Sequence, residues 1–227
     1  MPAGDSRLVE SDQKEVHPDL QAVVSRHLHT PYRKPIAEHT RQAFASVSSW
    51  VETSSRPLIL DSGCGTGESS YRLALAHVDS LVLGIDKSEV RLDKAMRAEV
   101  PENLRLLRAD LVDFWMLAHA AGWRLAKHYL LYPNPWPRSR HLLRRWHGHP
   151  VFPILLSLGG DLELRTNWRI YAEEFAQALT LVTGEEPDFF PFWMESPMTA
   201  FERKFLASGH EFWRVLFPIK GASKHEF

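Results

Sequence analysis

Short apolar runs and longer amphipathic segments alternate along the chain, which is typical of an α/β fold. Runs with the length of buried strands lie at residues 57–61, 81–86, 104–110, 128–132 and 159–168. The segments between them predict helices, which lie at residues 35–50, 88–99, 140–157 and 171–181. Two more strands are expected near residues 187–193 and 212–217, with a short helix between them.

Five strand-and-helix steps followed by two helix-poor strands predict a seven-stranded sheet. We expect helices on both faces of the sheet and an antiparallel hairpin at its C-terminal end. The chain has 227 residues, which suits one domain over residues 26–227 after a polar, mobile tail over residues 1–25. Residues 26–35 are basic and proline-containing. They are either a solvated arm or an arm that touches nucleic-acid backbone.

The charge distribution is more informative than the net charge of −1. Acidic residues are frequent in the first fifteen positions, whereas residues 138–149 are strongly basic. A local basic patch of this kind can bind phosphate even in a near-neutral protein. With a single cysteine, Cys64, and no long apolar run, we expect a cytoplasmic protein without a membrane partner. No set of residues has metal-ligand spacing, so we expect no metal; we also expect a monomer.

A glycine-rich turn follows the first predicted strand, with Gly63, Gly65 and Gly67 in G-x-G-x-G spacing. Glycines permit a tight turn and a close approach of the backbone to a ligand. This spacing differs from the G-x-G-x-x-G of dinucleotide-binding enzymes, which disfavours an NAD-dependent enzyme. The alternative is a turn without a ligand.

Three successive predicted strands end in carboxylates, and these are Asp61, Asp86 and Asp110. The carboxyl ends of parallel strands share one edge of the sheet, where ligands bind in open α/β folds. Asp61 suits an amino group, Asp86 has the spacing of an acid that binds ribose hydroxyls, and Asp110 suits an adenine amino group. The alternative for Asp86 and Asp110 is helix capping.

A rigid loop follows the fourth predicted strand. It contains Pro133, Asn134, Pro135, Trp136 and Pro137, and prolines exclude both a helix and a central strand here. We expect the loop to hold a target base, with Trp136 as a stacking surface. The arginines that follow are candidates for phosphate contact, and they are Arg138, Arg140, Arg144 and Arg145. The alternative is a solvated helix face.

The glycine turn, spaced acids and terminal hairpin resemble the class I S-adenosylmethionine-dependent methyltransferases. The proline loop with the arginines after it is similar to the P-D-P-W-x-K-x-R-H-x-K-R-R signature of the bacterial tRNA (guanine-N7-)-methyltransferase family. Residues 159–171 and 199–204 resemble that family's G-G to T-D-x-x-x-Y and T-K-F-E-x-R segments. The resemblance extends from about residue 30 to residue 217, and it implies a Rossmann-like methyltransferase fold.

The resemblance also implies roles for individual residues. S-adenosyl-L-methionine, with S-adenosyl-L-homocysteine as product, would contact the glycine turn and the acidic edge. These contacts are Asp61, Gly63, Gly65, Gly67, Asp86, Asp110 and Asn134, of which Asn134 is also the catalytic position. The tRNA would contact the basic loop and two later segments. These contacts are Arg138, Arg140, Arg144, Arg145, Asn167, Thr199, Phe201 and Glu202. The implied reaction is methylation of guanine N7 at position 46, in the variable loop of tRNA.

The chain departs from the family pattern in the centre of the implied site. Asn134 and Asn167 stand where the family has aspartates, Arg138 replaces a lysine, and Ala200 replaces another lysine. The pocket therefore loses two potential negative charges. Two other functions remain open: a methyltransferase of another RNA, a protein or a small molecule, and an RNA-binding protein with impaired catalysis.

Overall fold

The seven expected strands form a single sheet in the computed structural model, which describes residues 6–94 and 100–219. They are β1 (Leu58–Ser62), β2 (Leu81–Asp86), β3 (Leu104–Arg108), β4 (Lys127–Leu131), β5 (Gly160–Thr166), β6 (Asp188–Pro191) and β7 (Trp213–Ile219). Their order in the sheet is β3-β2-β1-β4-β5-β7-β6. The first five strands are parallel, and β7 is antiparallel to both β5 and β6. The predicted fold, including the C-terminal hairpin, is confirmed.

Helices cover both faces of the sheet. They are α1 (Leu20–His29), α2 (Glu38–Glu52), α3 (Glu68–Ala76), α4 (Glu89–Leu92), α5 (Leu111–Ala120), α6 (Phe152–Ser157), α7 (Arg169–Thr183) and α8 (Ala200–Ala207). Because both faces are covered, β1 and β2 are buried along their whole length and consist mainly of apolar residues. Apolar side chains form a larger core on one face and a smaller core on the other.

Two helix predictions differ from the structure. The basic helix expected over residues 140–157 is divided into two 3₁₀ helices, Ser139–Arg144 and Trp146–Gly148, followed by α6. Gly148 lies so close to the carbonyl of Leu142 that a Cβ atom would clash with it. The chain therefore folds back here instead of extending as one helix. The helix expected over residues 88–99 begins as α4, and residues 95–99 lie outside the described residues.

The N-terminal boundary also differs from the prediction of a tail up to residue 25. Residue 25 lies within α1, which packs against α7. Leu20, Val23 and Val24 of this helix are buried in the larger core. The sequence signal is weak because α1 is short, and the polar residues before it continue into its basic second half. None of the helices in the described part of the chain has the length and apolar character needed to cross a membrane.

Candidate functional site

A cavity of about 900 Å³ lies at the carboxyl ends of the parallel strands. Its walls come from the residues that follow β1, β2, β4 and β5, and from α5, α7 and α8. This is the crevice in which open α/β sheets bind ligands. The predicted glycine turn, acidic edge and proline loop all contribute residues to it.

Hydrogen bonds donated by backbone amides of the glycine turn hold this turn against the end of β2. The amides of Gly63 and Cys64 both donate to the carbonyl of Ile85, and the Gly65 amide donates to Asp86 Oδ2 at 3.0 Å. Gly63, Gly65 and Gly67 have φ angles of 86°, 61° and 75°. This left-handed backbone favours glycine, which explains the spacing of the motif. Gly63 is the glycine that lines the cavity.

Asp61 is fully buried in β1 and does not line the cavity. Its Oδ2 accepts hydrogen bonds from the hydroxyls of Ser69 and Ser70 at 2.6 and 2.7 Å. Its Oδ1 has no partner among the described residues. Burial raises the pKa of the Asp61 carboxyl despite the two serine hydrogen bonds. A buried acceptor oxygen without a donor suits an additional donor such as an amine or an ordered water.

The other two predicted acids line the cavity and also hold local backbone. Asp86 ends β2, where its carboxylate accepts from the amides of Gly65 and Ser88 and pairs with Arg91 at 3.2 Å. Asp110 caps α5 by accepting from the Asp113 amide. The capping alternative is therefore correct for Asp110. Ser88, not Asp86, is the N-cap of α4.

The proline loop forms the opposite wall of the cavity. Tyr132 and Trp136 both have positive φ angles, 54° and 46°, which are uncommon for residues other than glycine. The Tyr132 hydroxyl donates to Glu202 Oε1 at 2.8 Å, and its ring stacks on Phe201 with centroids 4.5 Å apart. Non-glycine residues in such conformations are typical of functional sites that the surrounding structure holds in place.

Asn134 is exposed at the centre of this loop, and its Oδ1 accepts a hydrogen bond from the Trp136 amide at 3.3 Å. Its side-chain NH₂ group makes no hydrogen bond to the described residues. Trp136 is partly exposed to the cavity, and the guanidinium of Arg144 lies 4.8 Å from its ring centroid. An amide with free donors and an accessible indole thus lie side by side, as the prediction for Trp136 requires.

Among the four predicted phosphate-binding arginines, Arg138, Arg140 and Arg144 are exposed. The prediction is wrong for Arg145, which is fully buried and has no surface to offer to a phosphate. Its guanidinium pairs with Glu174 at 2.5 Å and donates to the carbonyls of Trp136 and Arg138. Arg145 therefore fixes the main chain of the proline loop from the protein interior.

Glu174 is the counter-charge that makes this burial of Arg145 tolerable. Glu174 is fully buried and also accepts from His147 at 2.8 Å. Burial opposes ionisation of Glu174, but hydrogen bonds and positive charge from His147 and Arg145 outweigh it. They lower the pKa of the Glu174 carboxyl from 4.5 to about 2.

The residues predicted to contact substrate from the two later segments divide into two groups. Asn167 lies just after β5, and Phe201 lies in α8; both line the cavity. Thr199 is the N-cap of α8, where it forms a capping box with Glu202. Thr199 and Glu202 do not line the cavity.

Glu202 cannot contact a substrate, which corrects the prediction for this residue. It is fully buried, and its Oε1 accepts from Arg165 at 2.9 Å as well as from Tyr132. Its Oε2 accepts from the amides of Met198 and Thr199. Glu202 thus joins α8 to β5 and to the proline loop, and it fixes the wall of the cavity that this loop forms.

Sequence reasoning missed the N-terminal segment, defined as residues 6–17. Arg7 and Val9 line the cavity. Ser11 donates to the carbonyl of Pro137 at 2.5 Å, and Asp12 accepts from the amide of Ser139 at 2.9 Å. The opposite charges of this acidic segment and the basic residues 138–149 were the available signal. The sequence shows this difference in charge, but charge alone does not predict that the two segments are in contact.

Of the predicted site residues, Gly63, Asp86, Asp110, Asn134, Arg144, Asn167 and Phe201 line the cavity. Asp61 is buried behind it, and Arg138 and Arg140 are exposed outside it. No cluster of three or more histidine, cysteine or acidic residues suited to a metal ion occurs within residues 6–94 and 100–219.

Comparison with known proteins gives consistent results. Residues 55–215 match the model of the Methyltransf_4 family of methyltransferases. A tRNA (guanine-N(7)-)-methyltransferase from Saccharophagus degradans is 32% identical over 175 residues, which cover 72% of this chain and 76% of that protein. A protein of the same name from Nocardioides sp. is 30% identical over 177 residues, covering 75% of this chain and 71% of that protein.

Among solved structures, an antibiotic-related methyltransferase superposes with a TM-score of 0.54 at 15% identity, covering 83% of this chain and 97% of that chain. The 16S rRNA methyltransferase KamB gives a TM-score of 0.51 at 17% identity, covering 82% of this chain and 95% of that chain. At these identities the similarity establishes the fold alone.

Proposed function

Since this chain belongs to the tRNA (guanine-N(7)-)-methyltransferase family, we propose that it transfers a methyl group from S-adenosyl-L-methionine to N7 of a guanine in tRNA. We further propose that the guanine is at position 46 in the variable loop. One observation carries the proposal: the acidic sheet edge and the proline loop with Asn134 and Trp136 line the same cavity. A tRNA substrate places the proposed reaction in the cytoplasm, and we propose that the enzyme acts as a monomer.

The residues along the acidic edge fit S-adenosyl-L-methionine, the methyl donor of this family. The carboxylates of Asp86 and Asp110 line the cavity and offer acceptors for ribose hydroxyls and an adenine amino group. Asp61 is buried and does not line the cavity, so its unpartnered Oδ1 would bind the amine of the cofactor through an ordered water. Gly63 allows a ligand to approach the backbone closely because no side chain projects from it. When bound, the cofactor supplies an electrophilic methyl group.

Guanine N7 carries a lone pair and no proton, so the reaction needs no general base. The protein then contributes mainly by holding the two reactants in line and by stabilising positive charge. Asn134 would accept a hydrogen bond through its oxygen and donate through its free NH₂ group. Trp136 would stack against the target base. Asn134 is neutral, so it stabilises a cationic base less than an aspartate would.

Arg138 and Arg140 are exposed next to the loop and would bind tRNA phosphates. Arginine guanidiniums suit this role because their planar donors match phosphate oxygens. Arg144 lies over Trp136, so it would contribute both to stacking and to phosphate contact. Arg145 and Glu202 would act indirectly by fixing the loop and α8.

Asn134 and Asn167 also motivate a second candidate function, an RNA-binding family member with impaired catalysis. Both residues are amides and line the cavity. The two candidates differ in turnover and not in ligand binding, so binding alone does not separate them.

The proposal is tested by incubating the purified protein with unmodified tRNA and labelled S-adenosyl-L-methionine, followed by nucleoside analysis. We expect 7-methylguanosine, and chemical cleavage of the methylated tRNA should locate it in the variable loop. A different methylated nucleoside would overturn the guanine N7 assignment. Binding of both ligands without any methylated product would support the impaired member instead. A tRNA with the variable-loop guanosine replaced by adenosine is the matched control and should remain unlabelled.

A further inference from the structure

The Ser62 hydroxyl lies at the end of β1, in a buried hydrogen-bond network beside the cavity. Its Oγ is 2.8 Å from Nε2 of His128 and 3.2 Å from Nε1 of Trp115. Ser62 is 5% exposed, and His128 and Trp115 are fully buried. Ser62 is nevertheless one of the residues that line the cavity. None of the roles described above uses this network.

The hydrogen atoms of this network can be assigned from its donors. An indole N–H can only donate, so Trp115 fills one lone pair of the Ser62 oxygen. Burial lowers the pKa of His128 to about 3, so its ring is neutral and carries one N–H. The remaining question is which ring nitrogen carries that hydrogen.

Nδ1 of His128 has no hydrogen-bond partner among the described residues. A hydrogen on Nδ1 would leave a buried N–H without an acceptor. A hydrogen on Nε2 leaves an unused lone pair on Nδ1 and frees the hydroxyl hydrogen of Ser62, which lines the cavity and can bond there to water or a ligand. The second arrangement costs less, because orphaned buried N–H groups are the rarer defect. His128 Nε2 therefore donates to Ser62, and both lone pairs of the Ser62 oxygen are occupied.

The Ser62 hydroxyl hydrogen must then point away from both rings. The contacts within the described part of the chain supply no acceptor for it. Ser62 lines the cavity together with Gly63, Asp86 and Asp110, so the acceptor that remains for this hydrogen is a group inside the cavity. This network therefore holds a hydrogen-bond donor toward the cavity, in a wall where Asp86 and Asp110 are acceptors.

We propose that Ser62 is a cofactor-binding residue whose hydroxyl donates a hydrogen bond to an acceptor oxygen of the bound cofactor. This inference rests on the proposed function, because the acceptor belongs to S-adenosyl-L-methionine or its product. Two acceptors share this chemistry: the carboxylate of the amino-acid moiety and a ribose hydroxyl. His128 and Trp115 act as positioning residues by setting the direction of the hydroxyl.

The first test needs no substitution and no activity. Nitrogen-15 NMR of the wild-type protein distinguishes the two neutral tautomers of His128. Its ring signals can be assigned by their contact with Trp115, since the two ring centroids are 5.9 Å apart. We expect the hydrogen on Nε2. A hydrogen on Nδ1 would overturn the inference, because Ser62 would then donate to His128 and not to a ligand.

The second test measures the Kd of S-adenosyl-L-homocysteine by calorimetry. Ser62→Ala should raise the Kd about tenfold through loss of one hydrogen bond. Ser62→Thr retains the hydroxyl and should bind like the wild type, which controls for any loss of stability in Ser62→Ala. Ser48→Ala removes a serine hydroxyl in α2 that bonds to the Phe44 carbonyl, and it should leave the Kd unchanged.

Repeating the titration with methylthioadenosine, which lacks the amino-acid moiety, identifies the acceptor. An effect of Ser62→Ala on S-adenosyl-L-homocysteine alone assigns the carboxylate, and an effect on both ligands assigns the ribose. Equal Kd values for wild type and Ser62→Ala with both ligands would overturn the inference while leaving the proposed function intact. Failure of the wild type to bind S-adenosyl-L-homocysteine would count against the proposed function and the inference together.

Discussion

The two walls of the cavity hold their polar groups in different ways. The cofactor wall consists of the glycine turn and the acidic sheet edge, and the acceptor wall consists of the proline loop and α8. In the cofactor wall, most partners of the acids are nearby in the sequence: Ser69 and Ser70 for Asp61, the Ser88 amide for Asp86, and the Asp113 amide for Asp110. Two partners are more distant in sequence: the Gly65 amide bonds to Asp86, and Lys34 bonds to Asp110. In the acceptor wall, Glu202 bonds to Tyr132, 70 positions away. The cofactor wall is therefore built mainly from local motifs, whereas the acceptor wall depends more on tertiary contacts.

The dependence of the acceptor wall on tertiary contacts explains why two neighbouring arginines have different roles. Arg144 and Arg145 are neighbours in the chain, yet Arg144 is exposed over Trp136 and Arg145 is fully buried beside Glu174. A buried ion pair is costly unless its hydrogen bonds are satisfied, and Arg145 satisfies them with two loop carbonyls. In the acceptor wall, Arg145 thus fixes the loop, whereas Arg144 stays exposed and is the arginine proposed to contact the ligand.

The largest effect should come from breaking the buried pair in the acceptor wall. Glu174→Ala leaves Arg145 buried without a counter-charge, which should lower the free energy of unfolding by roughly 3–5 kcal/mol. Denaturant unfolding measures this loss. Glu173→Ala is the matched control, since Glu173 pairs with the exposed Arg169 at 2.8 Å in the same helix and should cost at most about 1 kcal/mol. Equal effects of the two substitutions would contradict the structural role of Glu174.

The same pair should make stability depend on pH. The pKa of Glu174 is lowered in the folded protein, so its ionised form contributes stability above the ordinary pKa of 4.5, and this contribution is lost as the pH falls toward about 2. We expect Glu174→Gln to flatten this part of the unfolding curve relative to wild type. The measurement is thermal unfolding at several pH values between about 5 and 2. A parallel pH profile for the two proteins would exclude Glu174 as the source.

Asn134 should affect catalysis without a comparable effect on stability, because its side chain is exposed and bonds only within its own loop. We expect Asn134→Ala to lower kcat about 100-fold, the cost of removing one positioned polar group. Asn134→Asp should raise kcat, because a carboxylate stabilises a cationic base better than an amide does. Single-turnover methylation of tRNA provides the measurement, with Tm as control. Methylation rates equal to wild type in both variants would show that Asn134 has no role in methyl transfer.

The smallest effect should come from the exposed arginines. Arg140→Ala should weaken tRNA binding several-fold at moderate salt and reduce the slope of log K against log salt by about 0.7–0.9, the change for one phosphate contact. Filter binding over a range of salt concentrations measures both quantities. Arg169→Ala, on the exposed start of α7, is the control and should leave the slope unchanged. An unchanged slope for Arg140→Ala would show that Arg140 makes no contact with a tRNA phosphate.

The cofactor wall and the fold were predictable from sequence because their signals are local. Strand ends, the glycine turn and Asp86 follow from short apolar runs and from spacing. The acceptor wall was only partly predictable, since burial of Arg145 depends on Glu174, 29 positions later. The N-terminal segment was missed for the same reason: Ser11 meets Pro137 across 126 positions. A basic cluster indicates charge, but it does not show which of its members the fold buries.

The division of the cavity into two walls is tested most directly by one calorimetric titration of S-adenosyl-L-homocysteine into three proteins: wild type, Asp86→Asn and Arg140→Ala. Asp86 ends β2 at the cofactor wall, whereas Arg140 is exposed and does not line the cavity. We expect binding to the wild type, a Kd raised about tenfold or more in Asp86→Asn, and an unchanged Kd in Arg140→Ala. No binding to the wild type, or equal losses in both variants, would contradict the assignment of the acidic edge to the cofactor.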